Sequence, residues 1–333
     1  MAEVQVVEDV PAPAWRMKPP IDWLLQEGLP WVRLGVFRDI LAMPSDNPDV
    51  SSALAETEDH PFVQRLCADS MAWPEPPLTG HQKADHPFHK AELLVYFLPR
   101  GHPLLKKIAE RILTNRSHEG IPLTLMKIPE RYGGSGKAEF TWMTCDYPLL
   151  AWIISRAGMS SEIAGATGHL LALVRENAWP CASSISGWHG PGKKSDPCPY
   201  ATLLALKLLS EIPDVLDSEE ARIGVHFLLW HWENSRERPP YMFGAGKRYR
   251  QMKFPPHWYD VMHVAWVLSR FPFVRQEKVF GNMLDHIASK ADSSGRFTPE
   301  SIYNIYKGLD FGQKKEPSPT LTWFAWTILS GNL

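Results

Sequence analysis

Six long apolar segments without strand-like alternation constrain this chain most: 31–43, 89–98, 147–157, 200–212, 261–271 and 321–329. Each is long enough for about three helical turns. Their apolar residues cover most of a helix circumference, so each predicts a helix buried on every side. Amphipathic segments run between them. In 104–113, Lys106, Lys107, Glu110 and Arg111 oppose a leucine and isoleucine face. Segments 160–176, 219–233 and 276–290 read the same way, and 61–71 is a shorter case. Buried and half-exposed helices therefore alternate.

The spacing is regular: 53 residues separate Cys145 from Cys198, 62 separate Cys198 from Asp260, and 60 separate Asp260 from Thr320. The 14 Trp and 30 Pro demand many short, densely packed elements with frequent stops, because so aromatic a chain does not stay disordered. Stacked helical hairpins form an open superhelix or a closed ring. The last segment, LTWFAWTILSGNL, is apolar, and closure would bury it. The expected fold is therefore all-α, a closed α/α toroid with six inner helices surrounded by outer helices. Residues 1–16, with Pro11 and Pro13, read as a loose tail, and 17–333 as one domain.

A formal net charge of −2 excludes a general nucleic-acid binder. No apolar run approaches the roughly 18 residues of a membrane span. The acidic start MAEVQVVEDV lacks the features of a secretory signal, and four cysteines are too few for a disulfide scaffold. A cytoplasmic location with reduced thiols is the expectation.

If the inner helices run parallel, the residues that open them meet at one mouth. These are Asp85-His86-Pro87-Phe88-His89, Thr144-Cys145-Asp146, Asp196-Pro197-Cys198-Pro199-Tyr200, His257-Trp258-Tyr259-Asp260 with His263, and Ser318-Pro319-Thr320. Helix capping accounts for Asp146, Asp196 and Thr320. It does not account for Cys145, Cys198, His89 and His263, which suggest a convergent polar site. Asp260, Asp146 and His89 are candidate acids or bases, and Cys145 or Cys198 a candidate nucleophile. Tyr200, Trp258 and Tyr259 would contact substrate. Lys247, Arg248 and Arg250 would hold an anionic group, or else belong to a solvated loop. Loop 131–136 reads as flexible and lid-like, and 188–192 as a connector that carries His189 over the mouth.

The repeat plan resembles the α/α toroid superfamily of terpenoid cyclases and protein prenyltransferase β subunits over roughly residues 20–333. Tails such as Ser294-Gly-Arg-Phe297 are similar to that family's Gly-Gly-Trp repeat tails. The resemblance implies zinc bound by Asp196 and Cys198, with His263 as third ligand one turn beyond Asp260, which stands where the family has His. It also implies that Lys193 holds a diphosphate, and that a helical partner subunit or a homo-oligomer exists. The chain has no Asp-Asp pair, so the acidic motifs of terpene cyclases are missing. The function expected is an enzyme, a transferase or a lyase/isomerase, acting on a largely apolar, isoprenoid-like small molecule in the central cavity. The alternatives are a non-catalytic ligand- or peptide-binding toroid, a metal-free acid–base hydratase or dehydratase, and a carbohydrate-active barrel using Asp146 and Asp260.

Overall fold

Proline opens most of the helices in this chain, which explains its abundance. The computed structural model describes residues 17–190, 192–237, 243 and 247–331; the expected tail 1–16 lies outside them. Six helices match the six apolar segments: α2 (Pro30–Gly35, continued by a π turn Val36–Ile40), α5 (Pro87–Phe97), α7 (Tyr147–Arg156), α9 (Pro199–Leu209), α11 (Val261–Leu268) and α13 (Pro319–Ser330). Five of the six carry Pro in the first turn, where a missing N–H costs nothing because that donor has no partner within the helix. Around them lie α3 (Pro48–Asp59), α4 (Pro61–Ser70), α6 (Pro103–Leu113), α8 (Ala164–Leu173), α10 (Glu219–Asn234) and α12 (Lys278–Ala288), with α1 (Ile21–Glu27) at the start.

Three starts use His-Pro. His60, His86 and His102 each accept the N–H two residues on through Nδ1. That leaves Nε2 as the donor, and His86 gives it to the Pro76 carbonyl while His102 meets the Glu58 carboxylate. These rings act as caps, doing what Ser or Asp does at Ser218 and Asp260.

Each of the six helices packs on the next: α2 on α5, α5 on α7, α7 on α9, α9 on α11, α11 on α13, and α13 back on α2. Two buried or half-buried bonds join first to last. Trp31 Nε1 donates to Thr320 Oγ1 at 3.1 Å, and Trp323 Nε1 to Asp39 Oδ2 at 3.2 Å. Gly35 lies so close to Trp323 that a Cβ there would sit 2.2 Å from the indole. Helix starts meet helix starts, as Trp31 meets Thr320 and Cys145 meets Cys198. Helix ends meet helix ends, as Arg156 meets Glu211 and Arg38 meets the Tyr96 carbonyl. The six helices thus point the same way. One continuous apolar core runs from Leu24 to Leu329.

Three features depart from the expectations. Helices α1 and α3 bury few residues each, so their apolar pattern is weak. Segment 160–176 begins as a 3₁₀ turn at Ser160–Ile163, and its helix stops at Leu173, before the tight turn that puts Ala178 at φ 92°. A two-stranded antiparallel ribbon, β1 (Thr124–Lys127) with β2 (Ala138–Thr141), occupies the stretch around the expected lid loop. Four residues per strand are too few to register as alternation. No helix among the described residues is long and apolar enough to cross a membrane.

Candidate functional site

Thr144 ties the start of α7 to the loop before α9. Its amide donates to Ala182 O, its hydroxyl to Pro180 O at 2.7 Å, and the Ala182 amide returns a bond to that hydroxyl at 2.9 Å. The Cys198 amide donates to Trp179 O. This clamp brings three cysteines from three chain segments together. Cys145 Sγ lies 3.8 Å from Cys198 Sγ and 4.0 Å from Cys181 Sγ, and all three sulfurs lie within 4.8 Å of one another. None is in a disulfide.

Cys198 is also the N-cap of α9, its sulfur accepting the Ala201 amide at 3.4 Å. Contacts with Cys145 and Cys181, and then the amides of Ala201 and Tyr200, hold its thiol well below the usual value against the effect of burial. Contacts with Cys181 and Cys198, and then burial, push Cys145 well up. For Cys181 the Cys145 contact acts downward, but the Cys198 contact and burial carry it well up. Of the three, Cys198 is the one whose surroundings favour a thiolate, at a helix N-terminus with Cys145 and Cys181 beside it.

The three cysteines line a cavity of about 480 Å³ with mostly apolar walls, including Leu78, Met126, Ile128, Met143, Tyr200 and Trp258. Tyr200 and Trp258 pack with ring centroids 4.3 Å apart. Lys83, Lys127 and Arg131 stand on its rim. The ribbon forms one wall, held by bonds between Leu78 and residues Leu125 and Lys127. His189 Nε2 meets the Arg131 carbonyl at 2.9 Å, so the two loops expected to move are clasped to each other. A second cavity of about 390 Å³, lined by Arg175, Lys193, Lys194 and Asp196, shares Cys181, Cys198 and Trp188 with the first.

A separate, fully buried polar cluster lies between the helices. Glu92 (α5), Lys207 (α9), His257 and His263 (α11) and His89 are all fully buried. Lys207 Nζ donates to Glu92 Oε1, to Tyr96 OH at 2.8 Å and to His263 Nε2 at 3.1 Å, and sits 4.2 Å from the Trp152 ring centroid. His257 Nδ1 and His89 Nδ1 both meet Glu92 Oε2, at 2.8 and 2.9 Å. Burial alone would raise the Glu92 carboxyl, but Lys207 and the two histidines hold it well below its usual range. Burial pulls Lys207 down against the attraction of Glu92, and brings His257 to about 4. His89, Glu92 and His257 have the donor types and spacing of a metal site. Their bonds are already made, however, and Lys207 supplies the cation on the same carboxylate.

The structure distributes the expected site residues among these places. Cys145, Cys198, Tyr200 and Trp258 line the larger cavity, and Lys193 and Asp196 the second. Neither Asp196 nor His263 belongs to the cysteine cluster, and His263 and His89 lie in the buried polar cluster. Asp146 caps α7 through Oδ1, with the Met143 and Tyr147 amides at 2.8 and 2.6 Å, and burial pushes its carboxyl up to about 7. Asp260 caps α11 and pairs with Lys253 at 3.4 Å; burial raises it too. Neither carboxylate lines either cavity. Tyr259 OH is engaged by His231 at 2.8 Å. Arg250 stacks 3.7 Å from the Trp232 ring centroid, Arg248 is exposed, and the side chain of Lys247 falls outside the described residues. Sequence reasoning undervalued Cys181 and passed over His81. Cys181 opens no helix, and only its 36-residue separation from Cys145, bridged by the clamp, brings it in.

No protein-family model matches the chain, and no curated protein matches it. The class it falls in is set by its own geometry: an all-α protein whose parallel helices carry a three-cysteine cluster at one end, Cys145 and Cys198 buried and Cys181 half-buried.

Proposed function

We propose that the six parallel helices form a closed α/α toroid and that the chain is an enzyme. It takes a largely apolar small molecule into the cavity at the helix-start mouth and acts on it through the Cys198 thiolate. One observation carries this reading: the three cysteines converge in the lining of a cavity whose walls are aliphatic and aromatic. An apolar wall excludes water and leaves the thiolate poorly solvated, which raises its reactivity toward a bound electrophile. Cys145 and Cys181, as neighbouring S–H groups, hold the thiolate in place and can return a proton. Lys83, Lys127 and Arg131 at the rim suit a polar or anionic head on the same molecule. Thiols kept reduced fit the cytoplasmic location expected of the chain.

The buried polar cluster fills the middle of the ring, so the substrate belongs at the mouth. The acid–base alternative loses support because Asp146 and Asp260 are consumed as caps away from the cavity. That same placement favours the second reading, a toroid that binds without turnover.

The test uses C10 to C20 isoprenoid alcohols as probes, with fluorescence from Trp188 and Trp258 as the binding signal. Saturable binding that slows alkylation of Cys198 by iodoacetamide supports the reading. Absence of binding, with alkylation unchanged, refutes it. Cys198→Ala separates the two readings, because an enzyme loses turnover at retained affinity.

A further inference from the structure

We propose that Cys145, Cys181 and Cys198 hold a zinc ion, and that His81 is its fourth ligand from the facing wall of the cavity. The sulfur spacing is the first ground. A tetrahedral zinc with bonds of about 2.3 Å sets its sulfur ligands roughly 3.8 Å apart. Here two of the separations are 3.8 and 4.0 Å, and all are within 4.8 Å. The site is also built in advance. The bonds of Thr144 to Pro180 and Ala182, and of Cys198 to Trp179, fix the three segments without help from the sulfurs.

His81 supplies the second, independent ground. Its Nδ1 is buried and has no hydrogen-bond partner. An orphaned ring nitrogen is costly unless something occupies it. His81 lines the same cavity as the three cysteines, and the charge of Cys198 is felt at its ring. Its nitrogen is not within the tight sulfur group, so ligation requires the imidazole to move towards the sulfurs. The backbone there is anchored: His89 Nε2 donates to the His81 carbonyl at 2.7 Å, and His89 in turn rests on Glu92. The buried polar cluster thereby positions the fourth ligand.

Zinc binds the three sulfurs as thiolates, so whatever thiol protons the cysteines carry leave as the metal enters. Three sulfurs and one nitrogen form a set that selects zinc over magnesium or calcium. A bound zinc would replace the S–H role given above to Cys145 and Cys181, while entry of an apolar molecule into the cavity is read separately from metal content.

The experiment measures metal content of the full chain purified without chelator, then follows cobalt replacement by absorption. About one zinc per chain is expected, released by chelator with uptake of protons. Cobalt should give sulfur-to-metal charge transfer and the visible bands of a tetrahedral ion. Cys145→Ser, Cys181→Ser and Cys198→Ser should lose stoichiometric binding, while Cys67→Ser, outside the cluster, should keep it. His81→Ala should retain the charge-transfer band, change the visible bands, and weaken binding by at least the roughly 10–100-fold typical of a metal site's outer partners. A wild-type chain that takes up no zinc or cobalt overturns the proposal, as does one two hydrogens lighter through a Cys145–Cys198 disulfide. A His81→Ala protein with wild-type spectrum and affinity overturns the fourth ligand. The wild-type measurement stands even if a cysteine variant fails to fold.

Discussion

Replacing Lys207 with Met should destabilise the protein by about 3–5 kcal/mol, the range for removing one partner of a buried ion pair. The reasoning is local. Lys207 and Glu92 are both fully buried, and the ammonium donates to the carboxylate, to Tyr96 and to His263. Met fills most of the volume, and it retains contact with Trp152 and Trp266. What disappears is the charge, so Glu92 is left with only His257 and His89 as donors. For a chain of this size each kcal/mol moves the melting temperature by about 2 °C, so the fall should be roughly 6–10 °C. Urea unfolding followed by circular dichroism gives the free energy. The decisive variant is the double one. In the Lys207→Met background, Glu92→Gln removes the orphaned charge, so it should recover part of the loss instead of adding to it. A single-variant loss under about 1 kcal/mol, or strict additivity in the double, would refute the ion-pair account.

Three further outcomes follow from the same reasoning. Asp146→Asn keeps the Oδ1 cap but removes a carboxyl whose folded value, about 7, lies above its unfolded one. Such a group stabilises fully only below its unfolded value near 4, and that stability is lost as pH rises through 7, so the variant should be more stable than wild type at pH 8; a loss of more than about 1 kcal/mol there would contradict the capping role. His86, His231 and His257 are each brought by burial to about 4, so their contribution is complete above about 6.5 and is lost as pH falls towards 4. The urea midpoint should drop between pH 6.5 and 4.5, three histidines outweighing the opposite trend of Asp146, and a flat profile would show that these rings are not neutral in the fold. Gly35→Ala forces a methyl into the Trp323 indole where α2 meets α13, so it should cost about 1–3 kcal/mol by overpacking; a neutral result, read by thermal melting, would mean that this contact is not tightly packed.

The helices were legible because their apolar residues encircle them, and that pattern survives any tertiary arrangement. Ends were legible to within a few residues because Pro, Ser, Asp and His-Pro punctuate them. The ribbon was not, since its strands span four residues each and alternate only once. At the site, the helix-start argument placed Cys145, Cys198, Tyr200 and Trp258 together. It could not separate the carboxylates that cap from those that face a cavity. Asp146 and Asp260 both open helices, and only the direction of each side chain decides.

The sequence by itself determined the helical class and the number of buried helices, because periodicity and capping are local; their common direction was only a premise there, and the contacts between helix starts and between helix ends decided it. Which polar residues meet was decided by the tertiary structure alone. His263 turned inward to Lys207, although its position in the chain suited partnership with Cys198 equally well. Cys181 joined the cluster through the Thr144 clamp, across 36 residues of chain. Contacts of that kind depend on how helix ends are rotated and how loops return, and these are properties of the packed helices rather than of any one segment.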